Sequence, residues 1–202
     1  MGLAESGISD IIFSPLLHES SQLFNNTTHK GRAFCLFRHP VERAVSLFHY
    51  LKQASWEPTF SEKLKKIETV EDYAISEFAE NNWMTRFLTN EMTGILTRKH
   101  LEVAKEILRR KVLVGLTVDM EKSFERFSKY FGWGDKEGHI TADQRSCLKG
   151  YLAEGSNRND HVIAEEGTMG WRILRGNNLF DLELYGYALQ LYEEQGKMLG
   201  SL

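Results

Sequence analysis

The chain has 202 residues, 42% of them hydrophobic and 26% charged, with a formal net charge of −3. That length fits a single domain spanning 1–202 with a core of its own, and the slightly acidic balance gives no support to nucleic-acid binding, which draws on a basic excess. Any anion site must therefore be local.

The N-terminal stretch from Met1 to Asp10 carries no basic residue, and Ile11-Ile12-Phe13 is too short for the apolar centre of a signal peptide. No stretch of the chain approaches the roughly 20 apolar residues that span a bilayer, so no transmembrane segment is expected. Asn25-Asn26-Thr27-Thr28 holds overlapping glycosylation sequons, which mean nothing without secretory entry. Arg32 to Phe37 is a short apolar run bounded by Gly31 and Pro40, which predicts a buried strand. Cys35 inside it is expected to be a buried thiol. With Cys147 it implies neither a disulfide framework nor a metal site.

From Pro40 the period changes. Val41, Ala44, Val45, Phe48 and Leu51 share one helical face, and Pro40 suits the first turn. Glu71 to Leu88 reads as one or two helices through Tyr73, Phe78, Trp83 and Phe87. Thr97 can cap a helix over Arg98 to Arg110. Val112 to Leu116 is a second short buried strand, and Asp119 then caps a helix through Met120, Phe124, Phe127 and Phe131. The last helix starts at Asn178, with Asp181 in its first turn. Trp56, Trp83, Trp133 and Trp171 read as packing residues, and the stretch around Trp171 as a surface loop. Two buried strands, each leading into an amphipathic helix, indicate an α/β layer with a small parallel sheet.

The chemistry concentrates in Arg38-His39-Pro40-Val41-Glu42-Arg43-Ala44-Val45-Ser46. Ligands of open α/β sheets bind beyond the carboxyl ends of the strands, where a starting helix offers free N–H groups and its positive end. Arg38 sits at that exit and can fork onto a phosphate. Ser46 and Arg43, three residues apart, can share a face from which the serine adds a hydroxyl. An ion pair of Arg38 with Glu42, and a plain surface role for Ser46, remain the alternative.

Arg38-x-Pro40-x-x-Arg43-x-x-Ser46 after an apolar strand resembles the 3′-phosphate motif of sulfotransferases that use 3′-phosphoadenosine 5′-phosphosulfate (PAPS). His39 stands where that family usually has an acidic or amide residue. Glu80 to Thr89, Val112 to Trp133 and Asp181 to Tyr185 are similar to later blocks of the membrane-associated carbohydrate sulfotransferases. The resemblance runs from about Arg32 to Gln195 and implies a P-loop-NTPase-like sulfotransferase fold, with a small parallel sheet and many surrounding helices. It further implies PAPS as cofactor, Arg38 and Ser46 as its 3′-phosphate ligands, and transfer to a hydroxyl acceptor, with a carbohydrate favoured. Golgi localisation is expected if a longer form carries an anchor.

The family's second anion site, a Lys- and Gly-containing loop after a strand, is missing ahead of Arg38. Lys136-Glu137-Gly138 lies after Arg38 without a preceding strand and reads as a surface loop. The domain is therefore expected to be N-terminally incomplete. The alternative function is an inactive remnant that at most binds adenosine 3′,5′-bisphosphate, and an unrelated nucleotide binder is a third reading. His18 is the positional candidate for the base that deprotonates the acceptor, with His29 a weaker one.

Overall fold

The computed structural model describes residues 6, 11–24, 28, 30–133, 140–154 and 164–200, with the side chains of 152–154 left aside. His29 and the Lys136–Gly138 loop lie outside the described residues. The fold is mixed α/β, mostly helical, around a small parallel sheet. In chain order the elements are α1 (Leu17–Ser21), β1 (Ala33–Phe37), α2 (Pro40–Leu51), α3 (Glu62–Lys65), α4 (Val70–Ile75) and α5 (Trp83–Thr89). They continue with α6 (Arg98–Lys111), β2 (Val112–Leu116), α7 (Met120–Phe131), α8 (Ala142–Glu154), α9 (Met169–Asn177) and α10 (Leu179–Gly200). Among the described residues no helix is long and apolar enough to cross a membrane.

β1 and β2 pair in parallel, in register from Ala33 opposite Val112 to Phe37 opposite Leu116. Every residue of β2 is buried, because α10, α6 and α7 pack around it. Gly115 is required by that packing: a Cβ there would stand 2.5 Å from the Phe127 ring of α7. β1 differs. Phe37 is buried, but Cys35 and Leu36 are exposed, so the expected buried thiol is corrected. A continuous apolar run predicts cover on both faces, and here cover is supplied mainly through Phe34 and Phe37.

The core has three parts. Phe37, Val114 and Leu116 meet Leu101, Ala104, Leu108, Leu184 and Ala188 of α6 and α10. A second cluster joins Val41, Val45, Phe48 and Leu51 of α2 to Leu64, Tyr73 and Leu174. The third places Phe34 and Leu113 beside Phe127, Phe131 and Trp133. Each fully buried Leu or Phe contributes about 1.5–3 kcal/mol relative to an exposed one.

α8 and α9 fall where the sequence pattern suggested no helix. The Trp171 segment is helix rather than surface loop: Thr168 Oγ1 caps α9 by accepting the Trp171 N–H at 3.3 Å. α8 opens on a box in which Gln144 N–H donates to Thr141 Oγ1 at 3.2 Å and Thr141 N–H donates to Gln144 Oε1 at 2.8 Å. Thr97 caps α6 together with His100, whose Nδ1 accepts the Thr97 N–H at 2.9 Å.

Candidate functional site

At the carboxyl end of β1 the chain turns through Arg38 and His39 into α2. The His39 carbonyl accepts from Arg43 N–H at 2.9 Å, the first bond of the helix. Pro40 has no N–H, and the amides of Val41 and Glu42 have no acceptor within the helix. A cleft of about 360 Å³ opens there, lined by His39, Val41, Glu42, Ala164, Glu165, Glu166 and Trp171. Its glutamates make it an acidic cleft. Neither Arg38 nor Ser46 lines it.

Arg38 reaches Glu42 with an Nε–Oε2 separation of 3.7 Å, and its side chain is 35% exposed. A pair this long and this wet is worth about 0–1 kcal/mol, so it holds the guanidinium weakly. The Ser46 side chain is half-buried and makes no hydrogen bond to any described residue. Arg43 is the opposite case. It pairs with Glu80, whose side chain is 8% exposed, and its guanidinium lies 4.1 Å from the centre of the Trp83 ring. Burial pushes the Glu80 carboxyl above its ordinary range, and Arg43 pulls it back down. Arg43 thus pins α2 to the segment leading into α5.

That segment belongs to a network the sequence reading missed. Asn82 adopts a left-handed backbone with φ 51°, a region Asn tolerates. Its Oδ1 accepts from Phe180 and Asp181 N–H at 2.8 and 3.1 Å, capping α10. Asp181 returns the cap. Its carboxylate accepts from Met84 and Thr85 N–H, both at 2.8 Å, and from Thr85 Oγ1 at 2.7 Å, closing the start of α5. Asn178 Oδ1 accepts from Asn82 N–H at 2.8 Å, while its Nδ2 donates to the Glu80 carbonyl at 3.1 Å. Asp181 was expected to serve its own helix dipole; it serves another helix. Burial raises its carboxyl, and the Thr85 and Met84 donors oppose that rise. The signal in the sequence was two Asn-Asn pairs, each just before a helix start.

Asp119 stands at the cap position of α7 without a side-chain cap; its Oδ2 instead accepts from the Tyr192 hydroxyl at 2.8 Å. His18 lies on α1, half-buried, with Nε2 3.2 Å from the Phe87 carbonyl at the end of α5. A carbonyl only accepts, so Nε2 is the donor in this contact. Among the described residues no hydrogen bond or ion pair joins His18 to Arg38 or Ser46. No group of three or more His, Cys, Asp or Glu among the described residues could hold a metal ion.

Arg38, at the strand exit, and Ser46, in the second turn of α2, are therefore the motif's polar groups with a weak partner or none among the described residues. No family model matches the chain, and no curated protein or solved structure matches it.

Proposed function

We propose that the chain is a sulfotransferase-type nucleotide-binding domain of the P-loop-like α/β class, using PAPS as donor and a hydroxyl, favourably of a carbohydrate, as acceptor. The observation that carries this reading is the contrast within the motif. Arg43 is consumed by Glu80 and Trp83, whereas Arg38 has one weak partner and the Ser46 hydroxyl has none among the described residues. Those two groups supply a charged fork and a neutral donor, which suits a phosphomonoester dianion.

In the transfer, the bond from sulfur to the bridging phosphate oxygen breaks as a new S–O bond forms to the acceptor. The acceptor proton passes to a base, and adenosine 3′,5′-bisphosphate leaves. Arg38 and Ser46 hold the 3′-phosphate and orient the nucleotide. His18 is the base in this reading, through the lone pair on Nδ1.

The 5′-phosphosulfate needs a second anion cradle. β1 leads into Arg38-His39 and β2 into Thr117-Val118, neither of which is a Lys- and Gly-containing loop. That observation favours a second reading, in which this chain binds adenosine 3′,5′-bisphosphate without transferring sulfate.

Calorimetric titration with adenosine 3′,5′-bisphosphate, followed by transfer assays from labelled PAPS onto mixed glycans, separates the two. Turnover supports the enzyme, and binding alone supports the remnant. Arg38→Ala is expected to weaken nucleotide binding by about 1.5–3 kcal/mol, the worth of a charge-assisted hydrogen bond. Affinity unchanged in that variant, or no binding by the parent chain, overturns the proposal.

A further inference from the structure

The two edges of the sheet are finished differently. On the outer edge of β2, Val114 N–H donates to Gln195 Oε1 at 2.9 Å and Gln195 Nε2 donates to the Val112 carbonyl at 2.9 Å. Further along, Leu116 N–H donates to Ser123 Oγ at 2.8 Å. Side chains of α10 and α7 thus stand in for a neighbouring strand. Val112, Val114 and Leu116 direct their backbone groups outward, so Leu113 and Gly115 face β1. In a parallel ladder with Phe34 opposite Leu113 and Leu36 opposite Gly115, the amides and carbonyls of Phe34 and Leu36 point to the far edge. There the two amides and the Phe34 carbonyl meet no hydrogen-bonding partner among the described residues, while the Leu36 carbonyl accepts only a long contact from the neighbouring Cys35 thiol at 3.8 Å, and Leu36 itself is 40% exposed.

An open edge of this kind is a template for an added strand. Its ends define the occupant. Arg32, exposed and held among the described residues by the carbonyl of the preceding Gly31 at 3.3 Å, stands at one end, and Arg38, weakly paired with Glu42, stands at the other. A second copy pairing antiparallel about Cys35 would set Arg32 of each chain against Arg38 of the other, and like charges directly opposed are destabilising. We propose that the free edge of β1 binds an extended segment of a separate polypeptide, apolar at its centre and acidic at its ends. Main-chain hydrogen bonds to Phe34 and Leu36 supply the affinity, and carboxylates opposite the two arginines set the choice of partner.

The test uses the whole chain and a blocked heptapeptide with valine and isoleucine alternating with threonine, ending in aspartate and glutamate. Amide exchange is followed residue by residue. At peptide well above its Kd, exchange at Phe34 and Leu36 should slow by about tenfold or more, with Cys35 and Phe37 unchanged, since bound-state protection scales with occupancy. A lysine-ended version should bind about fivefold more weakly, the worth of two cross-strand charge pairs, and Arg32→Glu should narrow or reverse that preference. Arg32 is exposed and lies outside the 38–46 motif, so its substitution leaves the fold and Arg38 itself intact. No protection at Phe34 and Leu36, equal binding of both peptides, or concentration-dependent protection of those amides without peptide, which marks a second copy, overturns the proposal.

Discussion

Arg43 and Arg38 belong to one motif, yet Arg43 lies between the Trp83 ring and a nearly buried Glu80, while Arg38 meets solvent and one carboxylate 3.7 Å away. The difference follows from where α2 points them. Arg43 falls on the side turned toward the 80–85 segment, where Asn82, Asn178 and Asp181 close the starts of α5 and α10 on each other. Arg38 precedes the helix and has no such wall beside it. A motif read as one phosphate clamp therefore divides into an architectural arginine and a solvent-exposed one.

The largest expected effect is on the architectural side. Arg43→Ala leaves Glu80 buried without its cation, and urea unfolding should show a loss of about 3 kcal/mol. Arg43→Met combined with Glu80→Met should recover much of that loss, because an apolar pair needs no desolvation of charge. Arg38→Ala should change stability by less than about 0.5 kcal/mol, as exposed substitutions do. Comparable losses at the two arginines would erase the distinction between them. Next in size is Tyr73, fully buried against Phe48, whose hydroxyl has the Glu80 backbone near it but no hydrogen bond of good geometry among the described residues. Tyr73→Phe should stabilise the chain by about 1 kcal/mol, since the orphaned hydroxyl loses its water without compensation. Destabilisation in that variant would reveal a partner for the hydroxyl.

Much of this architecture could be read from the chain. Both strands and the helices α2, α6, α7 and α10 announce themselves by period and caps, because their apolar faces are long enough to repeat. α9 escaped because Gly170 and Gly176 resemble loop residues. Gly170 is buried against α4, with Val70 and Glu71 within 3.2 Å of where a Cβ would stand, so its glycine serves close approach rather than a turn. The cap box at Thr141 and Gln144 was present in the sequence, but α8 has little amphipathic pattern to support it. Spacing singled out Arg38 and Ser46 as a candidate site. The structural capture of Arg43 was not, since Glu80 and Trp83 lie tens of residues away and only the tertiary fold brings them together. Nor could spacing show that one edge of β1 lacks a neighbouring strand among the described residues, because an edge is a property of what lies beside a strand.

The smallest effects concern pH and have opposite signs at two carboxylates. Glu80 is raised above 4.5, first by burial. A group raised in the folded state binds its proton more tightly there, so it contributes stability below the unfolded value, lost as pH rises through the folded one. Glu106 is the reverse: hydrogen bonds from Arg109 and then Arg110 lower it from 4.5 to about 2. Its contribution is present above 4.5 and disappears as pH falls toward about 2. Urea unfolding as a function of pH separates them. Relative to the parent chain, Glu80→Gln should gain stability as pH rises above 4.5, whereas Glu106→Gln should lose ground as pH rises from about 2 to 4.5. Added salt should remove the Glu106 difference, because its partners on α6 are exposed and screened, and should leave that of Glu80 nearly unchanged. Two variants moving in the same direction with pH would mean that the Glu80–Arg43 pair, for all its burial, behaves as a surface ion pair, and the division of labour between Arg43 and Arg38 would lose its physical basis.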